Sequence, residues 1–164
     1  MTDKTSPAKD AEEFVDPLQN YDPKTYNNPL EKALAEDTVT AIQSTPVATV
    51  TPDTPVQAAV KALADLEVSC LLVAKDGKLV GLFSDRDVLD RVALEYDQVK
   101  DRPVGELMTT DPVYAYASDS AAAALSIMAV SGFRHVPVTD INQNVVGIVS
   151  PQRVAEFLRK QVLD

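Results

Sequence analysis

Gly81-Leu82-Phe83-Ser84-Asp85-Arg86-Asp87 decides how this chain is read, because it recurs in form as Gly147-Ile148-Val149-Ser150-Pro151-Gln152-Arg153. In both places a glycine and two apolar residues lead into a serine, and the serine opens a polar run. That is how a buried strand hands over to a helix, with the hydroxyl placed to cap the free N–H groups of the first turn. The two stretches lie 66 residues apart, and so do Pro46 and Pro112.

Working outward, each copy carries the same order of elements. In the first, residues 46–50 read as a short strand. Thr54 is placed as an N-cap, with Pro55 at the first helical position and Gln57 completing a capping box. Val56, Ala59, Val60 and Leu63 then fall on one helical face. Residues 68–74 form an apolar strand, Asp76-Gly77 a hairpin turn, and residues 78–83 the returning strand. Ser84 opens a helix bearing Val88, Leu89 and Val92. In the second copy residues 112–116 are the strand, and Ser120 stands where Thr54 stood. Ala124, Leu125, Ile127 and Met128 supply the helix, residues 134–138 and 145–149 the hairpin, and Ser150 opens a last helix with Val154, Phe157, Leu158 and Val162 inward. The middle strands match at 65 rather than 66, since the second turn is longer by one residue. A period of this length marks a duplicated unit. Each half is too small to bury its own apolar face well, so the two are expected to pack together and leave clefts between them.

The expected organisation is an arm over 1–28, a helix over 29–44 with its pattern running to about Ile42, a first unit over 45–97, a linker with a short helix near 104–108 over 98–109, and a second unit over 110–162. The arm is rich in Asp, Glu, Lys, Asn and Pro with scattered Phe14, Val15, Leu18, Tyr21 and Tyr26, too little apolar surface to order itself alone, and is read as flexible. A formal charge of -10 argues against non-specific nucleic-acid binding, which needs clustered Lys and Arg. No apolar run reaches membrane-spanning length, and Met1-Thr2-Asp3-Lys4-Thr5 lacks the order of a signal peptide. One cysteine permits no internal disulfide, so the expected compartment is the cytoplasm.

Two such copies, each with glycine in the last strand and serine opening the last helix, resemble a pair of cystathionine β-synthase (CBS) domains, a Bateman module. Ser131-Gly132-Phe133-Arg134-His135-Val136-Pro137-Val138 is also typical of that family's middle strand. The resemblance covers roughly residues 40–162. It implies an α/β (α+β) fold of two pseudo-twofold-related β-α-β-β-α halves packed through their sheets, and usually a homodimer. It further implies binding of an adenosine-containing ligand (AMP, ADP or ATP foremost, otherwise S-adenosylmethionine or NAD) and regulation of an unknown partner protein, with no obligatory cofactor. By that match Asp87 takes the ribose hydroxyls and Ser84 the ribose or phosphate. Pro46, Val47, Val68, Cys70 and Phe83 border the adenine slot, and Arg134 and His135 face the phosphate, joined by Arg153.

The residue types suit these roles. A carboxylate accepts two hydrogen bonds from a cis-diol, a hydroxyl at a helix start favours an anion, and a guanidinium chelates phosphate oxygens. The halves diverge at the same places: Arg153 stands where the first half has Asp87, and Ser69-Cys70 where the second has Arg134-His135. One competent site, built on Asp87, and one degenerate site are expected.

Plainer readings stand beside these. Ser84 and Asp87 also form a capping box. His135 is a single histidine on a strand, Arg153 a surface charge, and Cys70 a small buried hydrophobe. A regular strand would also turn Arg134 and His135 to opposite faces, so either the strand start is irregular or only one of them reaches a phosphate. No catalytic set, glycine-rich phosphate loop or cluster of metal ligands is apparent, and no enzymatic activity is expected.

Overall fold

The computed structural model describes residues 22–163. The arm's Phe14, Val15, Leu18 and Tyr21 therefore lie outside the described residues. In chain order the elements are α1 (Pro29–Glu36), a 3-10 turn (Val39–Ala41), β1 (Gln43–Ser44), β2 (Thr49–Val50), α2 (Val56–Asp65), β3 (Cys70–Lys75), β4 (Lys78–Ser84), and α3 (Asp85–Asp87), which continues as a π-helix (Val88–Val92). There follow α4 (Tyr96–Val99), a second 3-10 turn (Val104–Glu106), β5 (Thr109–Thr110), β6 (Ala115–Tyr116), α5 (Ala121–Ser131), β7 (Val136–Thr139), β8 (Val145–Val149) and α6 (Pro151–Leu163).

These strands make two four-stranded sheets, ordered β2-β3-β4-β5 and β1-β8-β7-β6. In each, a parallel pair (β2 on β3, β6 on β7) and an antiparallel hairpin (β3–β4, β7–β8) repeat the duplicated unit. The edge strands are exchanged. β1 precedes the first copy but pairs with β8 of the second, and β5 precedes the second copy but pairs with β4 of the first. Ser44 lies opposite Ile148 as Thr109 lies opposite Leu82, so the register matches Ser44 with Thr109. Residues 98–109 thus do more than link: their last strand completes the first sheet, as the end of 29–44 completes the second.

The exchange also explains two departures from the local reading. Thr54 does not cap α2. Its hydroxyl meets Thr51, while the first N–H groups of the helix, those of Val56 and Gln57, donate to Arg102 O and Lys100 O at 2.9 Å each. The Gln57 amide reaches Asp101 instead of closing a capping box. A carbonyl satisfies an orphan helix donor as well as a hydroxyl does. In the second half, Ser120 does cap α5, accepting from Ala123 N. Helix α1 ends at Glu36, not near Ile42, because Asp37 leaves in an extended conformation (ψ 141°). Asp37 O accepts from Ala121 N, and Val39 N donates to Asp119 O, both at 2.8 Å. The short helix near 104–108 is a single 3-10 turn.

Strand alternation sorts the core into layers. Leu71 and Val73 of β3 and Phe83 of β4 face the helices, in a cluster with Val56, Ala59 and Val92. Cys70, Leu72 and Leu82 face the other way, into a cluster shared with Val145 and Ile148 of the second sheet. The sheets meet through this face. At one end the hairpins join directly, Leu79 N donating to Gln143 O and Val145 N to Gly77 O.

Candidate functional site

A cavity of about 490 Å³ opens between the halves at the end of β4. Its first wall is Leu82, Ser84 and the turns that follow, with Cys70 of β3 and Thr109 of β5; its second is Gly132 to His135. Gly132 ends α5 at φ +68°, where a side chain is disfavoured although a Cβ would meet nothing within 4 Å among the described residues. The chain then runs irregularly until β7 begins at Val136. Because residues 133–135 are not strand, Arg134 and His135 both line the cavity, which answers the question that strict alternation left open.

Asp87 is the buried polar centre, 6% exposed. Its Oδ2 accepts from Ser84 N at 2.9 Å and Ser84 Oγ at 2.8 Å, and its Oδ1 accepts from Thr109 Oγ1 at 3.0 Å. Ser84 Oγ in turn accepts from Asp87 N, so the capping box is formed. Arg91 stands 3.7 Å from Oδ1, its guanidinium held by Leu107 O and Met108 O at 2.9 Å.

Two groups here are kept uncharged. Burial, then the nearby Asp87 and Asp85, pushes the Cys70 thiol up to about 12. Burial, with help from Arg134 and against the pull of Asp85, lowers His135 below the ordinary histidine value. His135 Nε2 lies 3.0 Å from Ser69 Oγ. At neutral pH His135 is therefore a hydrogen-bonding group, not the phosphate-facing cation expected from the sequence.

Of the expected site residues, the fold brings Ser84, Asp87, Cys70, Arg134 and His135 to one cavity. Phe83 and Val68 belong to the helix-side core, the opposite face of the sheet. Val47 packs between the halves against Leu72 and Leu82, and Pro46 is exposed. None of these four lines the cavity, and the segment beside Asp87 is Thr109 of the exchanged strand β5. Arg153 lines a different cavity of about 510 Å³ with Asp37, Phe157 and Lys160, and its Nη1 donates to Glu156. It does not join Arg134 and His135. Thr109, Phe133 and Leu82 were missed: Thr109 sat in an apparent linker, and Phe133 stood beside the basic pair unread. Among the described residues there is no cluster able to hold a metal ion, and no helix is long and apolar enough to cross a membrane.

The model of the CBS domain family matches residues 39–94 and 104–160. The CBS domain-containing protein YhcV of Bacillus subtilis is 34% identical over 115 residues, 70% of this chain and 78% of the relative. A CBS domain-containing protein of Arabidopsis thaliana, CBSCBSPB1, is 29% identical over 74% of this chain, which spans only 22% of its length. Among solved structures, CBSX2 in complex with AMP aligns with a TM-score of 0.64 at 28% identity, covering 73% of this chain and 93% of that one. The CBS domain pair of MJ0100, in complex with 5-methylthioadenosine and S-adenosyl-L-methionine, aligns with a TM-score of 0.64 at 26% identity, covering 73% and 97%.

Proposed function

The chain belongs to the CBS domain family as a tandem pair, and from that premise we propose that it is a regulatory module binding an adenosine-containing ligand in the cavity built on Asp87. The observation that carries this reading is the cavity's division of labour between halves. The ribose diol meets Asp87 and Thr109: Oδ1 keeps a lone pair, and the Thr109 hydroxyl, donating to Oδ1, still accepts. The base rests on the apolar surface of Leu82 and Phe133, and the tail points to Arg134. Relatives solved with AMP, or with 5-methylthioadenosine and S-adenosylmethionine, support the ligand class.

Because the walls belong to different halves, a ligand touching both favours one arrangement of the pair over others, and that differential affinity is the signal. The module acts on a partner protein, in the cytoplasm and as a homodimer. Thermal shift and calorimetry against AMP, ADP, ATP, S-adenosylmethionine and NAD test the reading. At a hundredfold excess over Kd, stabilisation of about 2.7 kcal/mol is expected. No shift with any of these ligands overturns it.

One observation favours a second reading, a scaffolding module with a vestigial site. Asp87 already accepts three hydrogen bonds within the chain, which suffices to explain its burial without a ligand.

A further inference from the structure

We infer that the cavity takes a nucleoside carrying a single phosphate and discriminates against the di- and triphosphate. This rests on the adenosine-binding reading above and narrows it. Its basis is which charges at the phosphate end are already engaged.

Three arginines line the cavity, but two are occupied. Arg91 is clamped by the Leu107 and Met108 carbonyls beside Asp87, on the ribose side. Arg86 pairs with Asp90 at 3.6 Å, both largely exposed. Arg134 has no ion pair or hydrogen bond among the described residues, and it stands on the wall opposite Ser84. His135 is uncharged at neutral pH and is bonded to Ser69. Among the described residues, one cation of this cavity is therefore free to meet a phosphate.

Against it stands Asp85. Its carboxylate lines the same cavity and has no cationic partner among the described residues; its one hydrogen bond is from Arg86 N. Its field reaches groups on both walls, raising Cys70 and opposing the depression of His135. A first phosphate is compensated by Arg134. Each further phosphate adds negative charge with no other free cation among the described residues to receive it and with Asp85 nearby, so the cavity rejects it by repulsion rather than by shape.

The experiment is calorimetric titration of the full chain with adenosine, AMP, ADP and ATP in metal-free buffer, for the native protein, Asp85→Asn and Arg134→Gln. AMP is expected to bind tightest, with ATP weaker by roughly tenfold or more and the gap closing as salt screens it. Asp85→Asn should narrow the gap between AMP and ATP. Arg134→Gln should bring AMP down to the level of adenosine. ATP binding as tightly as AMP, or a ratio indifferent to Asp85→Asn, overturns the inference and leaves the adenosine reading standing. Failure of all four ligands, adenosine included, overturns both.

Discussion

Asp87 and Arg153 hold the same place in the two halves, three residues past the serine that ends each inner hairpin, yet they use it in opposite ways. Asp87 turns back, is buried, and gathers Ser84 and Thr109 into a network with spare accepting capacity. Arg153 points its Nη1 along its own helix to Glu156, and its Nε is buried without a partner among the described residues. Both serines remain, Ser150 within 3.5 Å of Arg153 N as Ser84 is of Asp87 N. The hydroxyl matched to Thr109 also remains, as Ser44. A duplicated frame can thus keep its backbone and its small polar residues while one substitution decides which half presents a carboxylate to the cleft.

The sharpest way to break this comparison is at the two matched positions themselves. Asp87→Ala removes a charged acceptor from a diol, and hydrogen bonds to charged groups contribute about 1.5–3 kcal/mol each. Ligand affinity should fall by roughly a hundredfold, measured by calorimetry. Asp87→Asn, which keeps the side-chain shape, separates that loss from any loss of fold. Arg153→Ala and Ser150→Ala should change affinity by less than about twofold, since neither residue lines the cavity. Equal losses on both sides would show that the asymmetry between the halves is not functional.

A smaller effect is expected where the exchanged edge strands cross the two glycines. A Cβ on Gly81 would strike the Met108 sulfur and come within 2.9 Å of the Thr109 carbonyl, which is fixed by pairing with β4. On Gly147 it would strike the far end of the Gln43 side chain, which can swing aside, and come within 3.1 Å of the Gln43 Cβ. Gly81→Ala should destabilise by about 1–3 kcal/mol, as overpacking does, and Gly147→Ala by less, read from urea midpoints. The reverse order would mean that the Gln43 side chain, whose Oε1 is buried without a partner among the described residues, is the more rigid of the two.

How much of this was legible depended on whether a residue's role is local. The inner hairpins and the serine hand-overs are written in neighbouring residues, and the repeat makes them visible twice. The edge exchange is not local: nothing in Gln43-Ser44 or Thr109-Thr110 says which sheet each joins, because both are two-residue strands with no apolar alternation to fix a face. The resemblance sets Pro46 and Val47 beside Asp87, where the exchanged strand brings Thr109 instead. Thr109 is hidden because its stretch reads as a linker. The resemblance also sets Phe83 in the slot, although the alternation that buries it beside Leu71 and Val73 can be counted from Ser84 backward.

Cys70 and His135 give the gentlest test, since they occupy matched positions 65 residues apart and burial keeps both uncharged. For His135 the folded value lies below the unfolded one of 6.5, so below that pH the unfolded chain binds more protons than the native one. The contribution of His135 to stability is therefore complete above about pH 6.5 and is lost as pH falls toward the folded value. His135→Gln should flatten the slope of the urea midpoint between pH 7 and 5 while leaving its value at pH 8 little changed. Asp140 does not confuse this window: hydrogen bonds from Asn144 lower its value from 3.8, so its contribution is lost only in more acidic solution. A slope that persists unchanged in His135→Gln would assign the loss of stability to another group.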